Sequence, residues 1–443
     1  MLSHARPRFQ GLWRHPDFLK LWTGQSVSVF GTLITKVALP IVAVLTLHAD
    51  AAQVALIYAA QVAPTLVFGL AAGALADRVR RRPLLIAADV GRALTLASVP
   101  VAAATGSLSL TLIYVVTLLT SALSALFDIA YPAYLPSLIG PERLLEGNAK
   151  LGASMSVAEV AGFGLGGALV QALTASGAIV VDIATYIVSV VSLALIRTPE
   201  PAPERAERAA EPGQALAHLR RDVLEGLRLT WGQPTRRALA GVALVQALCG
   251  GMLEPVLYIF ILRDLGISPA ITTATFAVGG VASFLGATLS ERVTRRLGMR
   301  RALRLSALMG AGFAVLIPLA GGPPWLAITM LVATQLGDAG YTVYGIAETT
   351  TLQRVSPASA LGRITASIQF VAGGAMVVGL GIGAGLGEVI GARATLLLAT
   401  LGMLLGPLWL ALERIEPEPP VPELAREDQR EAAEQPALPE PAR

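Results

Sequence analysis

Charged side chains are scarce in this chain. Only 14% of its 443 residues are Asp, Glu, Lys or Arg, whereas 54% are hydrophobic. In a typical soluble protein roughly a quarter of the residues are charged. The mean hydropathy of this chain is +0.64, so it has more apolar side chain than a globular core can bury. The composition therefore predicts a protein whose solvent is mainly the lipid bilayer.

Cysteine and histidine are also scarce, which excludes several kinds of site. The single cysteine, Cys249, lies within an apolar run, so one chain can form neither a disulfide framework nor a Cys-rich metal site. The four histidines are scattered, and no Gly-rich loop ending in Lys-Ser/Thr is present. We therefore expect no metal, no cofactor and no ATP-driven mechanism within this chain.

Apolar segments of about 20 residues, the length that crosses the hydrocarbon core, recur along the chain and predict an all-α integral membrane protein. The first exceeds a signal-peptide core and lacks a cleavage pattern, so we expect it to be retained. Twelve spans fit near residues 19–47, 53–76, 84–104, 109–137, 149–173, 177–196, 237–262, 269–290, 300–320, 324–352, 361–386 and 391–412.

These spans form two sets of six, which define five regions. A cytoplasmic N-terminal segment, 1–18, precedes a bundle at 19–196, and a second bundle covers 237–412. Between them, the charged, Pro-rich start of segment 197–236 predicts a linker, and its remainder predicts an amphipathic surface helix. The acidic, Pro-rich tail 413–443 predicts disorder.

Arginine placement predicts the orientation, because Lys and Arg are retained in short cytoplasmic loops. With the N-terminus inside, the basic loops fall inside and only Arg263 and Arg393 fall outside. Both termini are then cytoplasmic. The net charge of +4 is thus explained by topology and does not indicate a nucleic-acid partner.

The chain also repeats itself. A shift of 214 residues places Asp77, Arg78, Arg81 and Arg82 on Glu291, Arg292, Arg295 and Arg296. Gly177-Ala178 falls on Gly391-Ala392 in the same register. Duplicated six-helix bundles around a central site are typical of transporters.

The segment GALADRVRRR at 73–82 resembles the loop between the second and third helices of the major facilitator superfamily. LWTGQSVSVFGTLITKVALP (21–40), FDIAYPAYLPSLI (127–139) and LGRITASIQF (361–370) resemble the branch of macrolide and enterobactin exporters. Two departures stand out: Thr32 occupies a position where that branch commonly has an acid, and Phe163 interrupts the pattern typical of antiporters.

The resemblance implies a gate at the charged loop. Gly73 would allow close helix approach, and Asp77 would contact the start of the eleventh span near Gly362 and Arg363 in the outward-open state. By pseudo-symmetry, Glu291 would face the fifth span near Asn148 and Lys150. The remaining members of the predicted gating loop are Arg78, Arg81, Arg82 and Arg292. The alternative is a positively charged membrane anchor without a switching role.

Ionisable residues inside spans are costly and mark sites. The resemblance implies that the first, fourth, seventh and tenth spans line the cavity, and these carry Lys36, Asp128, Glu254, Asp338 and Glu348. Asp338, nearest the midplane, is the leading proton carrier because burial favours a neutral carboxyl group. Lys36 and Glu254 are expected to pair across the cavity, either as a switch or permanently. Glu159 on the fifth span faces either the cavity or the interface between the halves.

The polar residues on lining spans predict a cavity for a bulky, partly apolar ligand. The candidates for substrate contact are Gln25, Thr32, Gln246, Gln335, Tyr341 and Tyr344. For each of these, helix packing is the alternative role.

The sequence thus predicts a monomeric transporter in the cytoplasmic membrane, with a small-molecule substrate, protons and membrane lipids as partners. The leading function is export of an amphipathic drug, antibiotic, siderophore or secondary metabolite by proton antiport and alternating access. The alternatives are proton-coupled uptake of a metabolite and a membrane-embedded lipid-group transferase.

Overall fold

The computed structural model describes residues 11–78, 80–200, 225–357 and 360–412, and within them the regular structure is helical, with no strand. The N-terminal half contains α1 (Pro16–Ile41), α2 (Ala51–Arg78), α3 (Arg81–Ala104), α4 (Leu110–Ile139), α5 (Leu144–Leu173) and α6 (Ala175–Ala194). The C-terminal half contains α7 (Pro234–Ile259), α8 (Pro269–Leu297), α9 (Met299–Ala314), α10 (Leu316–Leu319), α11 (Pro324–Thr334), α12 (Gly337–Val355), α13 (Leu361–Val389), α14 (Gly391–Met403) and α15 (Leu405–Leu412).

Nine helical segments of the described chain are long and apolar enough to cross a membrane. The α5 helix, bent by 43° between its parts Glu146–Gly162 and Leu165–Leu173, makes a tenth. The predicted tenth span is divided into α11, which has 11 residues, and α12, which carries Asp338, Glu348 and Arg354. Twelve spans therefore remain a prediction, whereas the all-helical architecture is observed.

Both halves repeat one unusual feature at the end of their first helix. The α1 helix passes directly into a π-helical turn at Val42–Thr46, and α7 passes into another at Phe260–Asp264. Such turns are rare outside functional or strained sites. Their occurrence at matching places supports the internal duplication that the sequence indicates.

A second repeat corrects the register of that duplication. Arg82 donates to the carbonyl oxygens of Leu193 and Ala194 at 2.8 and 2.6 Å. Arg304 donates in the same way to Leu410 and Ala411 at 2.9 and 3.3 Å. The first three helices of the two halves begin 218 residues apart, at Pro16 and Pro234, Ala51 and Pro269, and Arg81 and Met299. The shift of 214 is therefore four residues short, and Arg82 corresponds to Arg300 and not to Arg296. Arg304 makes the equivalent contacts from one turn further along α9.

The reason for this error lies in the helix boundaries. The α8 helix extends to Leu297 and keeps Arg295 and Arg296 in its last turn. By contrast, α3 already begins at Arg81, where the two oxygens of Glu200 accept from the backbone N–H groups of Arg81 and Arg82 at 2.6 and 3.0 Å. Arg81 and Arg82 thus belong to the first turn of a helix, whose free N–H groups a carboxylate satisfies.

Glycines form close seams between helices, as the small residues of the fifth and eleventh spans predict. A Cβ atom at Gly379 or Gly383 of α13 would collide with the backbone of α7 at Leu248 or Met252. A Cβ at Gly162 of α5 would lie 2.8 Å from Cβ of Leu33 in α1. These contacts fix helix pairs within each half.

Candidate functional site

Described contacts join the two halves at one end of the bundle. We call this the distal end; it carries residues 47–50, 105–109, 265–268 and 320–323, and the opposite, proximal end carries residues 11–15, 140–143 and 225–233. At the distal end, Arg263 donates to the carbonyl oxygen of Val44 at 2.6 Å. Tyr258 and Leu262 pack in one hydrophobic cluster with residues of α1 and α2.

The interface continues towards mid-depth through α5 and α8. A Cβ at Gly167 would collide with Thr273 and the backbone of Pro269, and a Cβ at Gly280 would lie 2.6 Å from a methyl group of Val160. Both glycines therefore allow the backbones of the two halves to approach closely. In this conformation the described contacts hold the distal end shut.

Lys36 on α1 and Asp128 on α4 are both exposed. Asp128 interacts electrostatically with Lys36 and with Arg92, a residue buried inside the N-terminal half. A charge facing lipid would cost several kcal/mol, so both side chains face the space between the halves. The structure thus brings together two of the five charged residues that the sequence places on lining spans.

Asp338 lies at a break in the predicted tenth span. At Gln335 and Leu336 the backbone keeps helical dihedral angles but tightens to hydrogen bonds between residues three apart, before α12 begins at Gly337. One carboxylate oxygen of Asp338 and the amide oxygen of Gln335 both face Gly279 of α8, where any Cβ would collide with them. The missing side chain of Gly279 is therefore what accommodates this polar pair at mid-span.

Glu254 does not form the expected pair. Among the described residues no ion pair joins it to Lys36; instead, its side chain is hydrogen-bonded to Tyr58 on α2 of the other half. Tyr258, one turn further on, packs edge-on against Phe276 at a centroid distance of 6.2 Å. Glu254 therefore belongs to the closed distal interface in this conformation.

Glu348 and Tyr344 lie together towards the proximal part of α12. Tyr344 is only 4% exposed, packs in the core of the C-terminal half and interacts electrostatically with Glu348. Its hydroxyl group has no hydrogen-bond partner in the part of the chain that the structure describes. Tyr344 is therefore mainly a packing residue with one unsatisfied polar atom.

Two other predicted substrate contacts take part in internal contacts. Tyr341 packs its ring on Gly310 of α9, and its hydroxyl lies 3.7 Å from the sulfur of Met403. Thr32 bonds to the carbonyl oxygen of Ser28 at 3.0 Å and to the hydroxyl of Tyr186 at 2.9 Å. Both side chains are thereby committed to neighbouring helices of their own half.

The glutamines differ from one another. The amide nitrogen of Gln335 donates to the hydroxyl of Thr334 at 2.9 Å, and Gln25 is half-buried on α1. The amide nitrogen of Gln246 on α7 is buried without a hydrogen-bond partner among the described residues, as is the hydroxyl of Tyr131 on α4. Buried polar groups are normally paired, so these two atoms, like the hydroxyl of Tyr344, are exceptions among the described residues.

The gating residues are only partly described. The structure does not describe the side chains of Asp77, Arg78 and Glu159 or the surroundings of Gly73. Elsewhere, Arg363 pairs with Glu225 at 2.8 Å, and exposed Glu291 lies 3.8 Å from Arg295. Arg292 is exposed on the same last turns of α8.

Lys150, the partner expected for Glu291, is engaged elsewhere. Its ammonium group lies 3.4 Å from Glu146 and 4.0 Å from the ring centroid of Trp13. Among the described ion pairs Lys150 therefore has Glu146 as its partner and Glu291 has Arg295, and the contact between Glu291 and the start of the fifth span stays a prediction.

Comparison with known proteins identifies the family. A family model described as the Major Facilitator Superfamily matches residues 21–380. The chain belongs to this superfamily. Membership makes it a multi-pass transporter of the cell membrane rather than an enzyme, so the transferase alternative is set aside.

Three relatives of this Major Facilitator Superfamily member illustrate its range. It is 28% identical over 387 residues to the multidrug efflux pump Tap of Mycolicibacterium fortuitum, covering 85% of this chain and 90% of Tap. It is 25% identical over 415 residues to the uncharacterized MFS-type transporter YfiS of Bacillus subtilis (strain 168), covering 90% and 93%. A crystal structure of a mutant of the nucleoside transporter NupG matches with a TM-score of 0.69 at 12% identity, covering 90% and 99%.

This member of the superfamily also has a buried polar network around Arg92, which joins residues from three helices. Arg92 forms an ion pair with Asp89 inside the N-terminal half. Its guanidinium lies over the rings of Phe127 and Tyr186, 4.4 and 4.5 Å from their centroids. The three-residue spacing of Asp89 and Arg92 predicts the pair, but its aromatic neighbours come from α4 and α6.

Proposed function

We propose that this transporter exports a small amphipathic compound across the cytoplasmic membrane by proton antiport and alternating access. The observation that carries the proposal is the combination of a closed distal interface with exposed Lys36 and Asp128 between the halves. A polar space that is sealed at one end is what one state of an alternating-access cycle requires.

The proximal end faces the cytoplasm in this proposal. It carries the arginines of the first turn of α3 and of the α8–α9 junction, which the preference of basic residues for the inner side places there. The chain then crosses the membrane twelve times, with both termini inside. In this orientation the described conformation is the inward-open one.

The substrate is an amphipathic molecule in this account. Gln246 and Tyr131 supply unpaired polar atoms on helices that the family resemblance assigns to the cavity, and sites for drug-sized ligands combine a few such polar groups with a mainly apolar lining. The similarity to Tap, a multidrug efflux pump, favours a drug-like compound over a small ion. The family implies a small-molecule substrate, and the specific class belongs to the proposal.

Asp338 is the proposed proton carrier. It lies at the break between α11 and α12, next to Gln335 and beside Gly279 of α8. An ionised carboxyl group that is half-buried near mid-depth is costly, and binding a proton removes that cost. Lys36 and Asp128 form the second charged group, which substrate or proton binding would rearrange.

The charged loop acts as the gate of the outward-open state. Asp77 would then accept from the backbone at the start of α13, near Gly362 and Arg363, and Glu291 would approach α5 near Lys150. Reaching that state requires Arg363 to exchange its present partner, Glu225, and Lys150 to leave Glu146. Both pairs are partly exposed, so their exchange costs about 1 kcal/mol or less each.

Uptake by proton symport is the second candidate. It is favoured by Phe163, which stands where the antiporter pattern of the fifth span has proline. The match in fold to the nucleoside transporter NupG shows that this architecture also serves other transported compounds.

Accumulation measurements in cells separate these candidates. Cells with and without the protein are loaded with antibiotics, siderophores and metabolites, with ethidium as a fluorescent probe, and the assay is repeated with a protonophore. We expect lower accumulation of at least one amphipathic compound, and we expect the protonophore to abolish the difference. Protein-dependent uptake would reverse the proposed direction, and export that survives the protonophore would exclude proton coupling.

A further inference from the structure

The N-terminal half buries more acids than it can neutralise. Asp89 and Arg92 on α3 form an ion pair with side chains 0% and 5% exposed. Asp182 on α6 is also 0% exposed, and Asp128 on α4 interacts with the same guanidinium. One arginine therefore serves two buried carboxyl groups, Asp89 and Asp182, and also acts on the exposed Asp128, which has Lys36 as a second cation.

Among the described ion pairs, Asp182 has no cation of its own. Thr35 of α1 contacts one of its oxygens at 2.5 Å, and Thr185 contacts the other at 3.1 Å. The Thr185 hydroxyl also donates to the carbonyl oxygen of Asp182 at 2.7 Å, and its single hydrogen serves one acceptor at a time. Two hydroxyl groups are poor compensation for a buried carboxylate.

The α1 helix leaves no space for a further partner on its side of Asp182. A Cβ on Gly31 of α1 would collide with both Thr185 and Asp182, so the α1 backbone covers the carboxyl group directly. The charged groups that act on Asp182 are Arg92 and Asp89 of α3. Two more charged residues lie on the helices that neighbour α6. Lys36 of α1 faces the space between the halves, and the structure does not describe the side chain of Glu159 on α5.

The number of cations near these acids then determines which of them is protonated. Asp89 holds Arg92 at ion-pair distance, and Asp128 faces the space between the halves together with Lys36. A neutral carboxyl group at Asp182 satisfies the geometry, because one of its oxygens accepts from the Thr35 hydroxyl, while an O–H on the other can donate to the Thr185 oxygen, whose own hydrogen goes to the carbonyl oxygen of Asp182.

We propose that Asp182 is a proton-binding residue in the interior of the N-terminal half, neutral while Arg92 is paired with Asp89 and ionised when Arg92 moves towards it. Release leaves a carboxylate at Asp182 and passes the proton to water between the halves; uptake reverses the step. The shift of Arg92 would also move Phe127 and Tyr186, which enclose its guanidinium. The use of this site in transport rests on the proposed antiport, but proton binding itself does not.

Infrared difference spectroscopy tests proton binding directly. The full-length protein in lipid nanodiscs is titrated with acid, and the absorption of protonated carboxyl groups is followed in the unmodified protein and in Asp182→Asn. Asp50→Asn is the control, because Asp50 is an exposed helix cap that Asn can also provide. We expect Asp182→Asn alone to lose one carboxyl component. An unchanged band in Asp182→Asn would overturn the proposal.

A second variant covers the case in which Asp182→Asn fails to fold. Asp89→Asn removes the present partner of Arg92, so the guanidinium becomes available to an ionised Asp182. We expect the carboxyl component of Asp182 to disappear at a lower pH than in the unmodified protein. An unchanged titration in Asp89→Asn would contradict the exchange.

Transport gives the functional arm of the test. In proteoliposomes, we expect Asp182→Asn to transport ethidium with an altered dependence on pH, whereas Asp50→Asn should match the unmodified protein. If ethidium transport by the unmodified protein is not coupled to proton transport, the proposed antiport is wrong, but the infrared evidence for proton binding at Asp182 is unaffected. An Asp182→Asn variant with the unmodified pH profile would exclude the coupling role of Asp182.

Discussion

Asp338 is distinguished from the other acids of the lining helices by its surroundings. Asp128 is exposed beside Lys36, and Glu254 is hydrogen-bonded to a tyrosine of the opposite half. Among the described contacts Asp338 has no cation partner and no hydrogen-bonded tyrosine; Tyr341 acts on it only electrostatically, and its carboxylate faces Gly279 from the first turn of α12. A proton is therefore the simplest means of balancing its charge.

The Asp338→Asn variant should separate coupling from substrate movement. Asn resembles the protonated acid in size and charge, so we expect exchange of ethidium across the membrane to persist. Transport driven by a pH gradient should fall at least about tenfold, the equivalent of about 1.4 kcal/mol. Both rates are measured in proteoliposomes.

The control for this experiment is Glu388→Gln, at an exposed acid near the end of α13. It should keep both rates. Gradient-driven transport at the unmodified rate in Asp338→Asn would remove Asp338 from the coupling mechanism and leave Asp182 and Glu348 as the remaining buried candidates.

The sequence predicts which positions lie on lining spans, but not which way each side chain points. Asp338 and Gln335, which are three residues apart, both face Gly279 of α8, as their helical spacing permits. Tyr341 is turned into α9, because Gly310 offers space for its ring. Such rotations depend on which residue of a distant helix is small, and a single sequence does not show that pairing.

The α5 helix shows how neighbouring glycines take different roles. Gly166 faces Ile34 of α1 within its own half, where an added Cβ would make an ordinary contact at 3.7 Å. Gly167 faces Thr273 and Pro269 of α8 in the other half, where an added Cβ would collide. Only the second position should therefore control how closely the two halves approach.

Gly167→Ala should weaken closure at the distal end, and Gly166→Ala should not. Overpacking costs about 1 to 3 kcal/mol, which favours opening at this end several-fold or more. The measurement is the labelling rate of a cysteine at Phe276, placed in a Cys249→Ser background, with a maleimide that cannot cross membranes. Equal labelling rates in the two alanine variants would show that this seam does not hold the halves together.

The boundaries of the helices limit what sequence patterns can predict. Apolar length identifies most spans, but it does not reveal the π-helical turns after α1 and α7 or the break before Gly337. It also fails at the charged loop, where Arg82 and Arg304 bind the carbonyl ends of α6 and α15. These features depend on hydrogen bonds between segments more than 100 residues apart.

The two halves form one closed end and leave polar side chains exposed between them. The Arg263 contact with Val44, the Tyr58–Glu254 hydrogen bond and the Gly167 seam all belong to the distal side. The family and the all-helical fold were predictable from the sequence because apolar length and the charged loop are local signals. The conformation was not, because it depends on contacts between halves.

Alternating access predicts that the two ends of the bundle move in opposite senses when protons bind. Spin labels at Ser107 and Glu388 report the distal end, and labels at Glu142 and Arg296 report the proximal end; all four positions are exposed. The only native cysteine, Cys249, is first replaced by serine.

Distances between these labels are measured in proteoliposomes by double electron–electron resonance, in acidic and neutral buffer and with ethidium. We predict that a condition that lengthens the distance between the distal labels shortens the distance between the proximal labels. Two distances that stay constant, or that lengthen together, would contradict transport by rocking of the two halves.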